Sequence, residues 1–170
     1  MASEAQSIST YDWVKNLPAS PMVFPDSLAD RLKYAIWRLY TPFHPFVRDT
    51  SIALGIVRHG DNYVGGRQPY FLGRLASGQT IQEFVAYMIT KGFGNHFIAW
   101  KDRGQVVSLR YVDSFKYQYH LRVFDDGEVR GNYEFTPECH PLLHMFEDGL
   151  EERRDDFLRF LGDRIVSTQS

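Results

Sequence analysis

The sequence predicts an α+β fold in which an antiparallel β-meander packs against N- and C-terminal helices. Three observations support this prediction. Two pairs of strand-like segments are joined by short loops that end in glycine, a capped helix precedes them, and helical periodicity flanks the whole region. The predicted element order is β-α-β-β-β-β, with further helices before and after it.

The composition of the chain fits one domain. It has 170 residues, a formal net charge of −2 and one cysteine. This length buries enough surface to hold a core without disulfides, and one cysteine excludes an internal disulfide. We predict a short helix or disorder and a proline-rich connector over 1–25, then a single domain over 26–170. Near-neutral charge argues against nucleic acid, and the lack of a signal-peptide pattern or long apolar run predicts a cytoplasmic chain with no membrane partner.

The N-terminal third is predicted to be helical in two places. A short helix is expected over Thr10–Leu17, and a longer one begins at Asp26 or Ser27 and runs to Tyr40, where Pro42 and Pro45 follow. Its apolar residues recur at helical spacing on one side: Leu28, Leu32, Ala35, Ile36 and Leu39.

The segment between these helices and the meander contains one ambiguous region. Ser51–Val57 fits either a strand or a helix, and the glycines of His59–Pro69 predict a loop. A strand is expected over Tyr70–Ala76. Thr80 and Glu83 then form a capping-box pattern, which predicts a helix closed near Lys91 and Gly92 with one side inward, namely Ile81, Phe84, Val85, Met88 and Ile89.

The first hairpin is predicted over His96–Lys101 and Gln105–Val112, around the loop Asp102-Arg103-Gly104. Alternation places Val107, Leu109 and Tyr111 on one face of its second strand. The mixture of apolar residues on both faces of this hairpin is typical of strands that are covered on both sides.

The second hairpin is predicted over Tyr117–Phe124 and Glu128–Phe135, around the loop Asp125-Asp126-Gly127. A three-residue loop sets a register in which apolar residues meet apolar residues or glycine: Val123 with Val129, Leu121 with Gly131, Tyr119 with Tyr133, and Tyr117 with Phe135. A two-residue loop would pair Val123 with Arg130 and mix the faces. Pro141–Val166 is then predicted to be helical, with a break near Gly149.

The same register defines a polar face on the second hairpin. It pairs Gln118 with Glu134, His120 with Asn132, and Arg122 with Arg130. One interpretation is a solvated outer face, whose arginines pair with carboxylates of the C-terminal helix. The other is a binding surface for a partner or a small anion, formed by His120, Arg122, Arg130 and Asn132.

Two histidines near the C-terminal helix form a candidate metal pair. His140 and His144 are four residues apart, as two ligands on one helix face would be, and Glu147 follows nearby. Pro141 lies between them and places His140 at the helix start, so the alternative is a capping histidine beside buried Cys139. We predict no metal and no cofactor, and name His140 and His144 as the candidates if one binds.

A second motif carries a resemblance to a known family. The run Ile56-Val57-Arg58-His59-Gly60 resembles the signature of the histidine phosphatase superfamily. The resemblance implies a three-layer α/β fold in which His59 accepts the phosphoryl group and Arg58 binds phosphate. The family's second histidine follows a late apolar strand, whereas His120 of this chain lies inside a predicted strand.

The sequence contains no nucleotide-binding glycine motif, serine-hydrolase elbow or CxxC pair. We therefore predict a binding or protein-interaction module, possessing a polar sheet face and able to self-associate, in preference to an enzyme. The alternative is a hydrolase that uses Arg58 and His59, or a metal-dependent one that uses His140 and His144. Unplaced aromatic residues of the N-terminal third are the predicted partner-binding patch: Trp13, Phe24, Trp37, Tyr40, Phe43 and Phe46.

Overall fold

The computed structural model describes residues 11–54, 70–96, 99, 102, 104–140 and 150–167. It confirms the predicted α+β class. It consists of a six-stranded sheet, antiparallel at every strand pair, with helices in the N- and C-terminal regions of the chain. This sheet differs from the three-layer α/β fold implied by the resemblance to histidine phosphatases.

The helices follow local signals in the sequence. Ser27 caps the first long helix by accepting a hydrogen bond from the Asp30 amide, and Thr80 and Glu83 form the predicted capping box. None of the described helices combines the length and apolar character needed to cross a bilayer. The helices are α1 (Leu28–Tyr40), α2 (His44–Ala53), α3 (Ile81–Thr90) and α4 (Leu150–Leu161), with 3-10 turns at Asp12–Asn16, Thr41–Phe43 and Gly162–Arg164.

The sheet has the order β2-β3-β4-β5-β1-β6. Its strands are β1 (Tyr70–Leu75), β2 (Gly94–Asn95), β3 (Gln105–Val112), β4 (Tyr117–Phe124), β5 (Glu128–Phe135) and β6 (Ile165–Val166). The predicted register between β4 and β5 is confirmed at every pair, from Tyr117 opposite Phe135 to Val123 opposite Val129. Gly127 takes a φ of +82°, the left-handed conformation that ends a three-residue hairpin loop, and Gly104 also has a positive φ, of +75°.

Two predictions of element boundaries were wrong. The predicted strand His96–Lys101 is not observed at its described residues, because β2 ends at Asn95 and the Ala99 amide donates to the His96 carbonyl. The C-terminal helix ends at Leu161, and Ile165–Val166 instead pair with β1. Pro42 and Pro45 follow the end of α1 as predicted, and both lie in the first turns of new helical segments, where a missing N–H costs nothing.

Several predictions fall on residues outside the described ranges. These are the loop at 59–69 with Arg58 and His59, the end of Ser51–Val57, and the segment 141–149 with His144 and Glu147. The predicted division into 1–25 and 26–170 stays a prediction.

One face of the sheet carries the main core. Strand alternation directs Val107, Leu109, Leu121, Val123 and Val129 to this apolar face, and α3 and α4 add buried side chains to the same cluster. Gly131 lies between them, where a Cβ would stand 2.9 Å from both Leu72 Cδ1 and Phe157 Cε1. The C-terminal helix therefore packs on the apolar face and not on the polar one.

Close backbone packing at β2 requires a residue without a side chain at position 94, and this requirement can be tested. A Cβ there would lie 2.3 Å from the Ser20 nitrogen, where the chain before α1 runs beside β2 through the Ala19–Asn95 bridge. We expect Gly94→Ala to lower the free energy of unfolding by about 1–3 kcal/mol, because backbone has to move. Urea unfolding followed by circular dichroism measures this, and an unchanged midpoint would contradict the close approach.

Candidate functional site: a buried polar sheet face

The face of the sheet opposite the core is polar and largely buried. We call the polar face the set Ser108, Arg110, Gln118, His120, Arg122, Arg130, Asn132 and Glu134, all of which alternate with core residues along β3, β4 and β5. Six of the eight are at most 8% exposed, and Arg122 and Arg130 are intermediate. The expectation of a solvated outer face was therefore wrong.

Glu134 is the centre of a hydrogen-bond network on this face. Its Oε1 accepts from Gln118 Nε2 at 2.7 Å and lies 3.0 Å from His120 Nδ1, and its Oε2 accepts from the Asn132 amide. These residues come from two adjacent strands, β4 and β5. A buried carboxylate needs such donors to compensate for the lost hydration.

His120 links Glu134 to the next strand. Its Nε2 lies 2.6 Å from Ser108 Oγ on β3, while its Nδ1 faces Glu134. Because a carboxylate only accepts, Nδ1 carries the hydrogen when this bond forms, and Nε2 then accepts from the Ser108 hydroxyl. The three side chains thus form a continuous Ser–His–Glu chain across neighbouring strands.

His96 brings a second imidazole to the same place. Its amide donates to the Ser108 carbonyl at 2.9 Å, and its ring stands edge-on to His120 with centroids 4.7 Å apart. It is 3% exposed. Within the described part of the chain, His96, His120 and Glu134 form a group whose potential ligand atoms all lie within 4.8 Å of one another.

A buried ion pair adjoins this network. Arg110 donates two hydrogen bonds to Glu138, at 3.1 and 2.9 Å, and a third to Gln118 at 3.2 Å. Arg110 also contacts the Met22 sulfur at 3.1 Å, so the proline-rich connector covers this end of the polar face. Gln118 therefore connects the ion pair to Glu134.

The two arginines lie at the other end of the polar face. Arg122 and Arg130 are directly opposite each other, as predicted, but their acidic neighbours come from hairpin loops and from β5 itself. Arg122 Nε lies 3.9 Å from Asp102 Oδ2, and Arg130 pairs with Glu128. The predicted pairing of these arginines with the C-terminal helix was wrong, because that helix packs on the opposite face.

Two polar atoms of this face lack a hydrogen bond within the described residues. They are Arg122 Nε, a donor, and Asn132 Oδ1, an acceptor, and both atoms are buried. Arg122 is opposite Ser108, and Asn132 is opposite His120.

Of the candidate metal pair His140 and His144, the structure describes only His140. His140 packs its ring on Phe135, which pairs with Tyr117 at the end of the core face, with centroids 4.8 Å apart. Burial lowers the pKa of His140 and raises that of the neighbouring Cys139 thiol, so Cys139 is not activated as a nucleophile. His144 is outside the described residues.

Sequence reasoning placed six residues on the polar face and named four of them, His120, Arg122, Arg130 and Asn132, as a binding site. These four are on one face as predicted, together with Gln118 and Glu134. Ser108 and Arg110 alternate with Val107 and Leu109, so strand periodicity could have placed them on the same face. His96 was assigned to a strand, and no role was predicted for Glu138.

Comparisons with known proteins give no relatives. No protein-family model matches this chain, and no curated protein or solved structure matches it significantly. The functional argument therefore rests on the geometry of the polar face.

Proposed function

We propose that this chain is a metal-dependent hydrolase, in which His96, His120 and Glu134 hold a divalent transition-metal ion and Arg122 binds an anionic group of the substrate. The observation that supports this most is the convergence of two imidazoles and a carboxylate within 4.8 Å. Imidazole with carboxylate is a donor set that suits zinc and iron. Three protein ligands leave a coordination position open, at which such an ion activates water for hydrolysis.

The surroundings of the three ligands support this proposal. Metal-binding side chains are held in position by hydrogen bonds from a second layer of residues. Gln118 and Asn132 hold Glu134, and Ser108 holds His120. An ion bound at His120 Nδ1 would leave Nε2 to carry the hydrogen and donate it to Ser108.

The same residues also suggest a serine hydrolase with a Ser108 nucleophile, and the pairing of its strand argues against it. Ser108 lies inside β3, which is paired with β4 on one side and with the β2 segment on the other. A nucleophilic serine needs free donors for the oxyanion, whereas backbone amides inside a sheet serve the ladder. A serine that orients a ligand histidine does not have this requirement.

Arg122 indicates that the proposed substrate carries a negative charge. Its Nε is buried without a hydrogen bond to any described residue, and Arg130 lies directly opposite. Guanidinium groups bind phosphate and carboxylate oxygens in paired hydrogen bonds. Their position beside Ser108 and His120 favours a small phosphate ester or carboxylate ester over a neutral substrate.

Metal titration of the chain without an affinity tag tests the ion site. We expect one Zn²⁺ or Co²⁺ ion per chain, and a loss of affinity of about 100-fold or more in His96→Gln, because a ligand is removed. The matched control is His140→Gln, which should bind like the parent chain. Circular dichroism checks that both variants fold.

Three outcomes would contradict the proposal. They are the absence of stoichiometric binding, an unchanged affinity in His96→Gln, and a loss of binding in His140→Gln. Hydrolysis of an aryl phosphate or aryl ester is then compared in the metal-loaded chain and in Arg122→Lys, which should raise KM more than it lowers kcat. Activity that persists without metal and disappears in Ser108→Ala would instead establish the serine mechanism.

A further inference from the structure

Helix α1, the 3-10 turn after it and helix α2 present a series of large apolar side chains to solvent. We call this row the apolar stripe: Leu28, Leu32, Ile36, Leu39, Phe43, Phe46 and Val47, which are 39–85% exposed. Amphipathic helices of globular proteins normally turn such a row toward the core. Single exposed leucines need no explanation, but a contiguous apolar patch of this length marks an interaction surface.

The opposite side of α1 attaches it to the rest of the protein. Trp37 is 5% exposed and stands edge-on to His44, at a centroid distance of 6.1 Å. Tyr34 packs edge-on against Phe115 at 6.4 Å, and Lys33 Nζ lies 3.8 Å from Cys139 Sγ. The contacts that hold α1 therefore do not involve the apolar stripe, which the described residues leave exposed.

We infer that the apolar stripe is the interface through which two copies of this chain pair, with α1 of one copy antiparallel to α1 of the other. Leu28, Leu32, Ala35 and Leu39 follow each other at steps of four, three and four residues, the spacing of a helix-pairing seam. Ala35 is exposed near the middle of the row. A small residue there lets two helix axes approach closely about a two-fold axis.

The size of the apolar stripe suits a dimer. A fully open phenylalanine side chain offers on the order of 150–250 Å², and the five aliphatic side chains of the stripe offer somewhat less each. At the observed exposures the seven residues leave roughly 800 Å² of apolar surface, which is about one partner's share of a standard interface. A pair of such surfaces is large enough for a specific complex.

The apolar character of the stripe favours an uncharged partner surface, which a second copy supplies. The stripe itself contains no charged residue, while Arg31 and Arg38 are exposed beside it. A two-fold pairing places uncharged surface against uncharged surface. Because Arg31 and Arg38 are on the same side of α1, antiparallel pairing brings arginines of the two copies near each other at the rim, where solvent screens their repulsion. None of these residues belongs to the polar face, so this inference is independent of the proposed metal site.

Light scattering and sedimentation of the full chain test the pairing. We expect a mass twice 19.8 kDa for the parent chain. The double variant Leu32→Glu/Leu39→Glu should be monomeric with an unchanged circular dichroism spectrum, because both side chains are exposed and carry no core packing. Ala86→Glu, which adds a charge at an exposed position of α3, is the matched control and should stay dimeric.

A second variant tests the geometry of the pair. Ala35→Cys should form an intermolecular disulfide under mild oxidation, because a residue close to a two-fold axis meets its own copy. A monomeric parent chain overturns the inference, and so does a dimer that survives the double glutamate variant. A monomer that co-sediments with phosphatidylserine vesicles would overturn it in favour of a lipid surface.

Discussion

Arg110→Met is expected to lower the free energy of unfolding by about 3–5 kcal/mol, because it leaves a carboxylate buried without its partner. Arg110 is 5% exposed and Glu138 is 4% exposed, and they share two hydrogen bonds. Gln118 also loses a donor to its Oε1. Methionine keeps most of the side-chain volume, so the lost charge and hydrogen bonds dominate the effect. Urea unfolding monitored by tryptophan fluorescence gives the value.

Two further variants isolate the cause. The exposed pair of Arg74 with Asp126 is the control, and Asp126→Ala should cost no more than about 1 kcal/mol, since solvent screens it. The double variant Arg110→Met/Glu138→Leu should recover much of the lost stability, because no uncompensated charge remains. A single variant that costs under about 1 kcal/mol would mean that this pair is solvated.

Phe157→Ala is the second variant with a large expected effect, about 3–5 kcal/mol, since it empties the centre of the core. Phe157 is fully buried and stands edge-on to Tyr119, with ring centroids 5.0 Å apart. It is the side chain by which α4 reaches the middle of the sheet at Gly131. Arg159→Ala, at an exposed position of the same helix, is the control and should change stability by less than about 0.5 kcal/mol.

The contact between Phe157 and Gly131 makes a double-mutant cycle informative. Gly131→Ala alone should destabilise the protein, because its methyl group would stand 2.9 Å from Phe157 Cε1. In the Phe157→Ala background the close contact with Phe157 disappears while that with Leu72 remains, so the double variant should cost less than the sum of the two single costs. Additive costs would mean that these two residues do not touch.

The features of the fold that sequence reasoning predicted well are local. Gly127 needs a left-handed backbone at the end of its loop, and one register alone puts the apolar residues of β4 and β5 on the same side. The capping box at Thr80 likewise depends on residues three positions apart. In each case, neighbouring residues decide the structure.

The features that sequence reasoning missed depend on residues far apart in the chain. Two-residue strands such as Ile165–Val166 carry no periodicity, and their pairing depends on a distant partner, β1. The burial of the polar face depends on what packs over it, which strand alternation cannot reveal. The same limit applies to the apolar stripe, whose spacing in the sequence is equally compatible with a core-facing helix.

The candidate site shows the same division. His120 and Asn132 were placed together because a hairpin register predicts cross-strand neighbours. His96 joins them from a turn after β2, across a third strand, so no local spacing links it to His120. His140 and His144 have the spacing of two metal ligands on one helix face. Of the two, the structure describes His140, whose ring packs against Phe135.

The short edge strands of the sheet affect how this protein associates at high concentration. Both outermost strands are two residues long, Gly94–Asn95 and Ile165–Val166. Ala19 bridges to Asn95 on one side, and Arg154 donates to the Phe71 carbonyl near the other. Edge strands that are short and already contacted by other residues offer few free backbone groups to strands of other molecules. We expect the folded protein to resist fibre-like polymerisation, so that its association stops at a closed pair formed by helices.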